Sequence, residues 1–283
     1  VQIIRDIATL RKAVAELRKG GGRVALVPTM GALHAGHMAL VAEAQRRAEH
    51  VVVSIFVNPT QFGPGEDLDL YPRREAEDAA MLEAAGCAIL WAPDVATMYP
   101  KGFATTVRVS GVTEHLEGAV RPGHFDGVTT VVAKLFGQVR PDIAVFGEKD
   151  YQQLVVIRRL VFDLDVDTEV VGVSIQRDPL HFALSSRNVY LSTEERLAAR
   201  TLPKVLGEAA QAIRGGDDVK SALAAARGML QKAGFDPIDY VELCDAETLE
   251  LLGVLDRPAR ILAAVRLGKT RLIDNMPVLP PDL

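Results

Sequence analysis

The apolar residues of this chain change their spacing repeatedly. Ile7, Leu10, Val14 and Leu17 recur at helical intervals, predicting a helix over 6–19 that Gly20-Gly21-Gly22 ends. A continuous apolar run at 24–27 predicts a strand, and Met38, Leu40, Val41 and Ala44 return to helical spacing. The β-branched run 51–57 suits a strand covered on both faces. Further strands are expected at 87–91, 142–146 and 168–173, with a helix over 128–139 between the first two. After about residue 175 the order changes. Ser192-Thr193-Glu194-Glu195 reads as a capping box, helices follow to about 234 around Gly215-Gly216, and short strands at 240–244, 260–265 and 271–274 suggest a small mixed sheet. Strands and helices alternate before 175 and segregate after it. The expectation is an α/β domain over 1–175 and a smaller α+β domain over 176–283.

The stretch Pro28–His37 joins the first strong strand to its helix. Gly31 and Gly36 let backbone pass close to a ligand, and the new helix directs N–H groups and a positive dipole end at an anion. His34 and His37 lie three residues apart on that opening turn. Two imidazoles there can donate hydrogen bonds to a phosphate undergoing substitution. A helix cap or a core pair would use the same residues. Zinc would need further ligands, and no Cys or His cluster follows.

Other strand ends carry polar residues in the same way. Asn58 and Gln61 follow the run 51–57, and neutral amides there can hold a hydroxy acid without adding charge. Gly147, Glu148, Lys149, Asp150 and Gln153 follow the strand at 142–146; Lys149 supplies a compact cation for a triphosphate, and Asp150 an acceptor for ribose hydroxyls. Leu184, Ser185, Ser186 and Arg187 form a turn able to grip outer phosphates. Glu75, Glu77 and Asp78 open another helix, where acidic residues complement the dipole. Residues 118–127 read as a glycine-punctuated loop in which Arg121 and His124 can approach an anion or remain in solvent.

Composition narrows the class of partner. With 283 residues and a formal charge of −5, no global basic field draws in nucleic acid. Lacking a bilayer-length apolar stretch and a signal-peptide pattern, the chain is expected to be cytoplasmic, off the membrane. Cys87 and Cys244 stand apart, each in an apolar setting, and are expected as buried thiols.

The turn at 28–37 resembles the H-x-G-H signature of a nucleotidyltransferase superfamily. Its fuller string, with Phe56–Pro59, Gln61–Gly63, Tyr71–Arg73, Gly123–Phe125, Phe146–Gln153 and Ser185–Asn188 in order, resembles the pantothenate synthetase family. That resemblance covers nearly the whole chain. It implies a Rossmann-like parallel-sheet domain with a smaller C-terminal lid, Mg2+, and a homodimer. It also implies a two-step reaction: pantoate attacks ATP to give pantoyl adenylate and pyrophosphate, then β-alanine displaces AMP. His34 and His37 would act at the α-phosphate, His37 as proton donor, and Lys149 with Ser185, Ser186 and Arg187 would hold the outer phosphates. Pantoate would lie between Gln61 and Gln153, near Asn58, with its dimethyl part against Met30 or Phe62. Met30, Gly31, Gly36, Gly147, Glu148, Asp150, Gln176 and Leu184 would line the nucleotide site, and Glu77 and Asp78 would serve magnesium indirectly.

One segment departs from the family pattern. Where the family reads Pro-Thr-x-Arg-Glu-x-x-Gly-Leu-Ala, this chain has Ser174 to Ala183, with Ser174 at the proline position and His181 at the glycine. Rival readings are an adenylyltransferase acting on a phosphorylated acceptor, a tRNA synthetase fragment, and a module that senses ATP without turnover. The first would call for cations where Asn58, Gln61 and Gln153 stand.

Overall fold

The computed structural model describes residues 1–281, which group into two compact units. The first comprises Val1–Glu148 and Val156–Ser174, and the second Lys149–Val155 with the chain from Ile175 onward.

The first unit is laid down as β1 (Gln2–Ile4), α1 (Ile7–Leu17), β2 (Val24–Thr29), α2 (Ala35–Arg47), β3 (His50–Ile55), α3 (Glu75–Ala84), β4 (Ile89–Trp91), α4 (Val95–Met98), α5 (Glu117–Val120), α6 (His124–Val139), β5 (Ile143–Gly147), α7 (Tyr151–Asp163) and β6 (Glu169–Val173). Five residues at the start of α7 belong to the second unit. All six strands pair in parallel, in the order β1-β4-β3-β2-β5-β6. Residues 24–27 are fully buried, as a parallel strand covered on both faces must be. Ala25 and Val27 pack with Leu40, Val41 and Ala44 of α2, so alternation turns Val24 and Leu26 to the opposite face. From β2 the chain builds β3 and β4 on one side, then returns to place β5 on the other. The order therefore reverses between β2 and β5, and ligands of open α/β sheets gather beyond the carboxyl ends at such a point. The H-x-G-H turn and Gly147 both emerge there.

The second unit continues with α8 (Thr193–Ala199), α9 (Thr201–Arg214), α10 (Val219–Lys232), β7 (Phe235–Asp245), β8 (Ala259–Leu267) and β9 (Thr270–Val278). Ser192 and Glu195 form the capping box expected from the sequence. Leu202, Leu206 and Ile213 of α9 share a core with Leu223 and Leu230 of α10 and with Val241, Ile261 and Val265 of the sheet.

Three expectations are corrected. The small sheet is wholly antiparallel rather than mixed, and its strands are longer than the alternating runs suggested. Register shifts around Ile238 break the two-residue period in β7 and hid its first half. Helix α6 starts at His124, not Val128, because Gly123 adopts φ +81 and turns the chain into it. Cys87 and Cys244 are free buried thiols, as expected, and burial raises them to about 11 and about 12. Among the described residues no helix is long and apolar enough to cross a membrane.

Candidate active site

The H-x-G-H turn is held by its own side chains. His34 is the N-cap of α2, and its Nδ1 accepts the Gly36 N–H at 3.1 Å. His37 returns the bond, its Nδ1 accepting the His34 N–H at 3.3 Å. This is a capping box built from two imidazoles, whose ring centres lie 4.2 Å apart. The sequence left open a cap or a catalytic pair, and the geometry makes the first compatible with the second. A neutral ring that accepts at Nδ1 carries its proton on Nε2, so the cap fixes the tautomer of both histidines. Each is then a preset donor.

Ahead of His34 the backbone is left-handed twice, at Gly31 (φ +85) and Ala32 (φ +51). The Ala32 and Leu33 N–H groups donate to Asp78 at 2.8 Å each. Asp78 is buried, which raises its carboxyl pKa against the pull of those two donors. It was expected, with Glu77, to serve magnesium indirectly. Both Asp78 carboxylate oxygens are engaged by backbone, and Glu77 lies exposed 3.7 Å from Arg74. Among the described residues no group of three or more His, Cys, Asp and Glu side chains could hold a metal ion.

Asn58, expected near the substrate, is enclosed by the protein behind Gln61. It is 1% exposed. Its Nδ2 donates to Gln61 Oε1 (3.0 Å) and Gly127 O (3.1 Å), while Oδ1 accepts from Tyr99 Oη (2.8 Å) and from Thr60 Oγ1 and N. With its polar atoms satisfied internally, Asn58 orients Gln61, whose Nε2 donates toward Met30 Sδ at 3.3 Å. Met30 and Gln61, both read from sequence, are thereby brought together; Tyr99 was missed.

Arg121 and His124, read as exposed or near an anion, hold the same loop from below. Arg121 pairs with Glu66 and donates to His124 Nε2, whose Nδ1 then donates to the Gln61 carbonyl at 2.8 Å. Burial lowers the His124 pKa to about 4, with the Arg121 charge adding to it. The signal for this role, a His-Phe pair opening a helix, was hidden by the glycines on either side.

In the second unit, Lys149 lies 3.9 Å from Asp150, and its carbonyl accepts from the buried Asn275 at 3.0 Å. The next residue but one, Tyr151, donates to Ala246 O at 2.8 Å beneath the stacked Arg260 guanidinium. Gln153 is half-buried one turn further along. Leu184 N–H donates to Gln176 O at 2.9 Å, and Arg177 bridges Ala183, closing a small hairpin before the turn at Ser185. Ser185 caps that turn, its hydroxyl accepting the Arg187 N–H, and Ser186 and Arg187 open the 3₁₀ segment Ser186–Tyr190.

The divergent segment forms that hairpin with its hydrogen bonds intact. Asp178 Oδ1 accepts from the Leu180 and Phe182 N–H groups, and Arg177 forks onto the buried Asp274 through two 2.8 Å bonds. His181 sits at φ +62, in the region that favours glycine. His181→Gly should therefore stabilise the second unit by about 0.5–1 kcal/mol, strain relief outweighing the added freedom of the unfolded chain. A urea midpoint equal to or below the parent's would contradict this.

Known proteins share this fold over nearly the whole chain. The family model described as pantoate-beta-alanine ligase matches residues 2–277. The chain belongs to the pantoate-beta-alanine ligase family. A curated pantothenate synthetase from Rhizorhabdus wittichii is 68% identical over 99% of both chains, and one from Sphingopyxis alaskensis is 60% identical over 98% of this chain and all of its own. The crystal structure of the Thermus thermophilus pantothenate synthetase superposes with a TM-score of 0.93 at 48% identity, covering 99% of this chain and 100% of that one. A Francisella tularensis pantoate-beta-alanine ligase, complexed with beta-gamma ATP and beta-alanine, gives 0.84 at 33% identity over 98% and 97% of the two chains. Membership across the full length makes this chain a ligase of pantoate and β-alanine.

Proposed function

We propose that this ligase works through pantoyl adenylate, with His34 and His37 as the donors at the reacting phosphorus. The observation that carries this is the reciprocal imidazole cap at the end of β2, where the sheet order reverses. Pantoate is already a carboxylate, so the first step needs no general base. What opposes it is bringing one anion to another and stabilising the charge that builds at phosphorus. Donors fixed before the reaction act on that obstacle without reorganising. The Gln61 carboxamide, oriented by Asn58, holds the hydroxy acid beside them, with Met30 against its methyl groups. Gln153 binds the same acid. Gly31, Gly36, Gly147, Glu148, Asp150, Gln176 and Leu184 serve the nucleotide, while Lys149, Ser185, Ser186 and Arg187 take the β- and γ-phosphates and the departing pyrophosphate. ATP enters as its magnesium complex, so the metal belongs to the substrate. A homodimer acting in the cytoplasm completes the reading.

Pyrophosphate and AMP release, each acid omitted in turn, tests it. Pantoate alone should give one equivalent of pyrophosphate and no AMP, and β-alanine should restore turnover. Pyrophosphate that appears only when both acids are present would overturn the adenylate route. Transfer of AMP to a phosphorylated acceptor would favour the adenylyltransferase instead.

A further inference from the structure

The turn that carries the two histidines has an outside support. Helix α3 is seated in the core through Leu82, which is fully buried, and its first turn is closed by the Asp78 N–H donating to Arg74 O at 2.9 Å. From that seat the Asp78 side chain reaches across 46 and 45 residues of sequence to Ala32 and Leu33, one oxygen to each N–H, both at 2.8 Å. Ala32 is the residue that most needs holding, because its φ of +51 is disfavoured for any side chain but hydrogen. Gly31 before it is tightly fitted at φ +85: an added Cβ would lie 3.1 Å from Asp78 Oδ2 and 3.0 Å from Ile55 Cγ2, so both side chains would have to give. The carboxylate, the glycine and the left-handed alanine therefore form one fitted contact immediately ahead of His34.

We propose that Asp78 is the positioning residue of the His34–His37 turn, fixing through two backbone N–H groups where the imidazole donors stand. A carboxylate suits this because it only accepts, and both partners only donate. Its two oxygens also set which N–H groups of the turn stay away from the nucleotide. Ala32 and Leu33 are committed to Asp78, leaving the rings and the start of α2 to meet the phosphate. Asp78 acts through the backbone and does not touch substrate. A reacting geometry displaced by about 1 Å can cost roughly 10²-fold in rate, which is the size of effect at stake.

The rate arm rests on the adenylation reading above; the exchange arm does not. In Asp78→Asn the carboxamide keeps one acceptor and turns an N–H2 toward the other donor. Single-turnover adenylate formation by the full chain with MgATP and pantoate should fall about 10–100-fold. The Mg2+ half-saturation should stay within about twofold of the parent, since the loss is one of placement. A rate within threefold of the parent overturns the proposal. So does a loss recovered by raising Mg2+, which would make Asp78 a metal partner. Amide hydrogen exchange on the unsubstituted protein needs no variant to fold. Ala32 and Leu33 should be protected to the level of β2, and exchange at the rate of an open loop would overturn the brace. If the parent enzyme makes no adenylate, the adenylation reading fails and the exchange result still decides this one.

Discussion

Replacing His37 by alanine should slow adenylate formation by about 10²–10³-fold, the usual consequence of losing one preset donor at a developing oxyanion. The same change also strips the His34 N–H of its acceptor, so about 1 kcal/mol of helix capping goes with it. A glutamine at this position separates the two effects. Gln at the third helical residue can close the capping box without supplying an imidazole. His37→Gln should therefore melt near the parent temperature while staying about as slow as the alanine variant. Rapid-quench measurement of adenylate and a thermal melt check both halves. A His37→Gln enzyme with near-parental adenylation would remove the imidazole from the chemistry and leave it only a cap.

The second large effect is expected at Gly127. Alanine is normally favoured over glycine inside a helix by about 1 kcal/mol. Here a Cβ would stand 2.4 Å from Thr60 O, 2.5 Å from Thr60 C and 2.6 Å from Gln61 N, all of them backbone atoms. Helix α6 and the 3₁₀ turn Pro59–Gln61 would have to separate, at a cost of about 1–3 kcal/mol that outweighs the gain in propensity. The parting would also break the bond from Asn58 to Gly127 O and release the residue that orients Gln61. Gly127→Ala should thus lower stability and raise KM for pantoate together, with KM for ATP much less affected. Urea unfolding with steady-state kinetics measures both. A stable variant with parental pantoate KM would mean the turn tolerates displacement.

These two sites show what the sequence makes legible. Residues 24–27 and the H-x-G-H turn lie next to each other, so strand, glycines, imidazoles and helix onset are read from neighbours. The capping box at Ser192 is local in the same sense. The partners of Asn58 were not legible because they are not local: Tyr99 and Gly127 reach it from 41 and 69 residues away. An amide at a strand end looks the same whether it faces ligand or is saturated from behind. Asp78 was read with the helix it opens, while its partners are in a turn on the far side of β3 in the chain. His124 was read as loop because Gly123 and Gly127 flank it. One of those glycines turns the chain into the helix, and the other makes room for a neighbouring backbone. In β7, register shifts removed the alternation that would have marked its first residues.

The mutual capping of His34 and His37 has a consequence for inhibitor chemistry. With each Nδ1 taken up by main-chain N–H, the rings have hydrogen to offer and no lone pair. A compound made for this turn should present sulfonyl, phosphoryl or carbonyl oxygens to them. An otherwise matched amine would set donor against donor and bind weakly.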